Sequence, residues 1–115
     1  MRVVVSPQAG RDIVAVLRTS KAEFGAEARD RYRRLIQLAF EDLVANPSRN
    51  GVRSFSGDAN GPAIYHIRYS RRRGEAMFRV VSPRHVVAFR VHGDVLEILR
   101  VLHDAMDIPR LIGGE

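Results

Sequence analysis

The chain has 115 residues, 45% hydrophobic and 28% charged, which suits one folded domain (residues 1–115) with a single core. It has no cysteine, so disulfide scaffolds, thiolate metal sites and cysteine nucleophiles are excluded. Formal net charge is +6, and 18 of the 19 basic residues are arginine. The planar arginine fork suits carboxylates and phosphates, so an acidic partner is expected, either nucleic acid or acidic protein. A base-composition bias toward arginine codons gives the same count, so charge alone does not choose.

Residues 2–5 (Arg-Val-Val-Val) predict a short strand. Ser6-Pro7 then reads as a helix start, with a serine cap and a proline at the first helical position. Ile13, Val16, Leu17 and Phe24 follow at helical spacing and predict a helix over residues 7–24. After Gly25 a second helix is expected, carrying Ala28, Tyr32, Leu35, Ala39 and Leu43 on one face and ended by Asn46-Pro47. Two amphipathic helices joined at one glycine read as an antiparallel hairpin. Residues 47–62 read as a loop.

Residues 63–70 alternate, with Tyr65, Ile67 and Tyr69 on one face and Ile64, His66 and Arg68 on the other. His85 to His92 alternates likewise, placing Val87, Phe89 and Val91 opposite Val86, Ala88, Arg90 and His92. Gly93-Asp94 gives a tight turn, and Val95 to Leu102 reads as a central strand. The stretch 71–84 is ambiguous between a hairpin tip at Arg71–Gly74 and a further strand near Met77–Val81. A turn and a short terminal helix are expected over 104–112, then a tail at 113–115. The order predicts an α+β fold: a two-helix hairpin on one face of a mostly antiparallel four-stranded sheet, with the other face bare.

That bare face would present His66, Arg68, Arg84, Arg90 and His92, joined by Arg100 or His103 according to register. It suits an acidic or amphipathic peptide, or RNA with arginines on phosphates and a histidine moving protons; a solvated face without a partner is the third reading. The four histidines have no metal-ligand spacing, and no P-loop, GxSxG or dinucleotide pattern occurs, so no metal or cofactor is expected. The helical carboxylates, Asp12 and Asp42 among them, read as solvated. No apolar run approaches the roughly 18 residues of a membrane helix, and Met1–Pro7 lacks a signal peptide's apolar region. A cytoplasmic location is the expectation.

The segment 95–107, Val-Leu-Glu-Ile-Leu-Arg-Val-Leu-His-Asp-Ala-Met-Asp, resembles the C-terminal signature of the ParE branch of ParE/RelE toxins, a strand of the type (I/V)xRVLH followed by xxMD. Residues 83–91 resemble the preceding strand of that family, and the order of strand and two helices matches too. The resemblance implies a toxin of a type II toxin–antitoxin system. Its partner would be a cognate antitoxin whose acidic, amphipathic C-terminal segment wraps the toxin, giving a hetero-oligomer. For the ParE branch it implies poisoning of DNA gyrase by binding, with growth arrest and no catalytic residue. The RelE branch implies instead a ribosome-dependent mRNA endoribonuclease, for which Arg68, Arg84, Arg90 and His103 (or His85) are the candidates here; a degenerate toxin that only holds its antitoxin is the third alternative. No tyrosine follows the final strand, where RelE-like enzymes often keep one. The expected antitoxin contacts are Ile13, Leu17, Tyr32, His66, Arg68, Arg84, Arg90 and Arg100. The span between Tyr69 and Arg84 is longer than the hairpin common in the family.

Overall fold

A computed structural model describes residues 1–54 and 61–112; the middle of the expected loop (55–60) and the expected tail (113–115) lie outside the described residues. The elements are β1 (Arg2–Val5), α1 (Pro7–Phe24), α2 (Ala26–Ala45), β2 (Val52–Ser54), β3 (Ala63–His66), β4 (His85–His92), β5 (Val95–His103) and α3 (Ile108–Ile112). Two 3-10 turns, Ile67–Arg73 and Ala76–Phe78, join β3 to β4. The sheet runs β1-β5-β4-β3-β2, with β1 parallel to β5 and the remaining pairs antiparallel.

The α+β class, the helix limits and the two long strands are those the sequence predicts. Ser6 caps α1 by accepting from the Ala9 amide at 3.0 Å, and its hydroxyl donates to the Leu99 carbonyl at 2.9 Å, so one side chain starts the helix and ties it to β5. Gly25 takes φ +93°, which a residue with a Cβ rarely adopts, and thereby reverses the chain between the helices.

Three features depart from the sequence reading. The sheet has five strands rather than four, because Val52–Ser54 pairs with β3 inside the expected loop; three residues are too few to show a period. Gly51, at φ +100°, makes the entry to this strand, and an added Cβ would sit 2.6 Å from the Tyr69 ring. The predicted strand 63–70 ends at His66, whose Nδ1 accepts from the Arg68 amide at 3.1 Å and turns the chain into a 3-10 coil. Tyr69, expected on the core face, is consequently 47% exposed. The ambiguous stretch 71–84 holds neither a hairpin tip nor a strand.

The helical hairpin covers one sheet face. Tyr65, Ile67, Val87, Phe89, Leu96, Ile98 and Val101 meet Leu17, Leu35, Ile36, Ala39 and Leu43 in one core. Each fully buried aliphatic side chain there contributes about 1.5–3 kcal/mol. A buried polar clasp closes the β3 end: Asp42, 4% exposed, accepts from Ser70 Oγ at 2.5 Å and from Arg73 at 2.9 Å, with Arg49 at 3.1 Å. Asp42 is therefore not a solvated carboxylate; three partners on later elements make its burial tolerable.

The opposite face is not bare. Val86 and Leu102, with Ile64 beside them, form a second cluster under Ile108 and Ile112 of α3. The chain's own C-terminal helix thus covers part of the face that the sequence reading left open, because alternation cannot show what returns to cover an apolar row.

Candidate functional site

The β4–β5 ladder decides where the histidines go. Ala88 pairs with Arg100 and Phe89 with Ile98, so Leu99 is an extra residue, a β-bulge. Below the bulge Leu96 and Ile98 face the core; above it Val101 and His103 do. His103 thereby lies directly across from His85 on the helix side, their rings perpendicular with centroids 5.4 Å apart. Arg100 falls in the outward row, but its guanidinium grips Asp12 of α1 at 2.8 and 3.1 Å. That contact holds the Arg100 pKa above the usual guanidinium value, against the opposing effect of burial. Asp12 is again not a solvated carboxylate.

Tyr32 of α2 reaches this pair. Its hydroxyl lies 2.5 Å from His85 Nδ1 and accepts from the Arg84 amide at 3.0 Å. Burial pushes the Tyr32 pKa up to about 12, outweighing the Arg84 hydrogen bond, so its proton stays on. Burial, aided by the neighbouring His103, pulls His85 down to about 4, so this ring is neutral near pH 7.

Behind the pair lies a second cluster. His66 Nε2 donates to Asp104 Oδ2 at 3.0 Å, and Arg84 reaches Asp104 Oδ1 at 2.9 Å. Burial alone would raise the Asp104 pKa, but the His66 and Arg84 hydrogen bonds prevail and hold it below the usual carboxylate range. His66 is only 8% exposed.

Tyr32, His85 and His103 line a groove of about 840 Å³, within the size range of ligand pockets. Its walls are α1 and the start of α2 on one side and residues 79–84 on the other. Phe24 (73% exposed) and Val81 (86%) stand on its walls as uncovered apolar side chains.

The sequence-predicted contact residues distribute as follows. Tyr32 and Arg84 line the groove. Leu17 is buried and Ile13 half-buried, both packed in the core beneath the helices rather than on their surface. His66 and Arg100 are held by Asp104 and Asp12. Arg68 stacks on Tyr69, its Cζ 4.8 Å from the ring centroid, and is exposed. Arg90 pairs with Glu97 at 3.1 Å at the other end of β4. Asp104, Phe24's exposure and the wall formed by residues 79–82 were missed. Asp104 was within reach, because it sits inside the quoted C-terminal segment directly after His103. Among the described residues no cluster of three or more His, Asp or Glu side chains could hold a metal ion, and no helix is long and apolar enough to cross a membrane.

Residues 3–108 match the family described as ParE toxin of the type II toxin-antitoxin system, parDE. Among solved structures, a chain of the chromosomal ParDE TA system from P. aeruginosa is similar at 18% identity and a TM-score of 0.47, with 90% of this chain and 95% of that chain covered. No curated protein matches. With almost its whole length matched, this chain belongs to the ParE toxin family of type II toxin–antitoxin systems.

Proposed function

We propose that the protein is a cytoplasmic toxin that binds DNA gyrase and poisons it without catalysis, and that a cognate antitoxin neutralises it by laying an acidic, amphipathic segment along the toxin. Family membership supports the toxin role. The observation that carries the non-catalytic reading is the scatter of the endoribonuclease candidates. Arg84 and Arg90 are six residues apart, about 20 Å along an extended strand. Arg84 is engaged by Asp104 and Arg90 by Glu97. Arg68 lies on the 3-10 coil beyond β3, and His103 faces the helix side, so the four do not converge on one phosphate. The groove and its exposed apolar walls suit the neutralising segment, with Tyr32 and Arg84 as contacts and the exposed Arg68 placed to meet acidic residues outside it.

Purified protein added to gyrase and relaxed plasmid is expected to block supercoiling at micromolar concentration, and primer extension on translated mRNA is expected to show no new cleavage. Unaffected supercoiling together with cleavage that His103→Ala abolishes would replace this reading with the ribosome-dependent one.

A further inference from the structure

We infer that the groove carries a carboxylate-recognising pair: the Nε2–H groups of His85 and His103 receive a side-chain carboxylate from the partner segment whose apolar residues fill the rest of the groove. The inference rests on the antitoxin reading above and adds the atoms that would do the recognising.

Donor and acceptor accounting fixes both rings. Tyr32 keeps its phenolic proton, and the hydroxyl already accepts from Arg84; the acceptor within its reach is His85 Nδ1. His85 Nδ1 is therefore unprotonated, and the proton of the neutral ring sits on Nε2. The Ala105 amide, which can only donate, points at His103 Nδ1 at 3.1 Å. Asp104 Oδ1 is 3.5 Å from the same nitrogen, too far to claim a proton from it. The His103 proton is thus on Nε2 as well.

Neither Nε2 has a hydrogen-bond partner among the described residues. Neither is sealed from solvent, since Arg49 Nε is the one buried side-chain nitrogen or oxygen without a partner among those residues. Two donors without a partner, on cross-strand neighbours whose ring centroids are 5.4 Å apart, therefore lie on the lining of an apolar groove. A metal ion bridging the rings would need lone pairs where these protons are, so the arrangement suits an acceptor.

Charge selects the acceptor. The groove lining carries Arg31, Arg79 and Arg84 against one carboxylate, Glu23; Arg84 is paired with Asp104 and Arg31 lies 3.7 Å from Glu27, so the positive excess rests on Arg79. Arg79 bonds two backbone carbonyls and no carboxylate among the described residues. A carboxylate on an otherwise apolar segment meets both the donors and the local positive excess.

Sodium 4-phenylbutyrate and 4-phenylbutan-1-ol share a tail and differ in the carboxylate. In nitrogen–proton correlation spectra of the full chain at pH 7, both rings are expected to carry their proton on Nε2. The acid is expected to shift both Nε2–H signals and to bind about tenfold tighter than the alcohol. In an H85F/H103F variant with a native-like spectrum the preference is expected to fall below about twofold. Should that variant not fold, His103→Phe alone is expected to lower the preference at least about threefold. Protonation on either Nδ1, an acid that binds no tighter than the alcohol at concentrations up to about 10 mM, or a preference that survives the substitutions would overturn the inference. Growth rescue of the wild-type toxin by the product of the neighbouring gene tests the antitoxin reading separately. Rescue without a carboxylate preference removes the site and keeps the antitoxin; a carboxylate preference without rescue supports the pair and removes the antitoxin.

Discussion

Histidine in this chain is shaped by what lies behind each ring. His66, His85 and His103 each accept or donate in a fixed sense, because a backbone amide or the Tyr32 hydroxyl occupies Nδ1. For His85 this has a thermodynamic consequence. Its pKa is about 4 in the folded chain against an ordinary 6.5. Above pH 6.5 neither the folded nor the unfolded chain protonates this ring, and its contribution to stability is complete. Between about 6.5 and 4 the unfolded chain takes up a proton that the folded chain refuses, so stability falls, by an amount on the order of 3 kcal/mol near pH 4. Urea unfolding at pH 7 and pH 4.5 is expected to show a steeper loss for the wild type than for His85→Phe. Parallel pH profiles would contradict this account.

At the scale of elements, α1 does more than cover the core. β1 ends at Val5, four pairs along β5, so among the described residues no strand lies beside the remaining edge of β5. The helix supplies the missing partners: Ser6 Oγ donates to the Leu99 carbonyl, and Asp12 Oδ2 accepts from the Val101 amide at 2.9 Å while both its oxygens hold Arg100. Asp12→Ala leaves a backbone donor and a partly buried guanidinium unpaired and is expected to cost about 2–3 kcal/mol, read as a lower urea midpoint at unchanged slope. Asp12→Asn retains one acceptor and is expected to lose less. The edge also bears on the groove, because the same stretch of β5, past the bulge at Leu99, presents His103.

At the scale of the whole molecule, the charge of +6 is spread over a surface in which many arginines are already engaged by carboxylates. Long-range attraction of an acidic partner then acts mainly on the encounter rate, and the apolar groove on the lifetime of the complex. Raising salt from 50 to 500 mM is expected to slow association with the antitoxin about tenfold or more while changing dissociation little. A dissociation rate that carries most of the salt effect would place the charges inside the interface instead.

The sequence by itself determined both long helices, with the Ser6-Pro7 start of the first, the two long strands, and the family, through the segment from Val95 to Asp107. These are local properties: periodicity, a capping serine before a proline, a glycine that can take positive φ. It also put Tyr32, Arg84 and His103 among the residues of interest. The structure alone decided which of them meet. The bulge at Leu99 turns His103 toward His85, the 3-10 coil takes Arg68 and Tyr69 off the sheet, and α3 returns to cover Val86 and Leu102. Each depends on contacts between distant parts of the chain, as does the burial of Asp12 and Asp42 beside arginines that follow them by 88 and 31 positions. A pattern with a period of two or 3.6 residues carries no record of such partners.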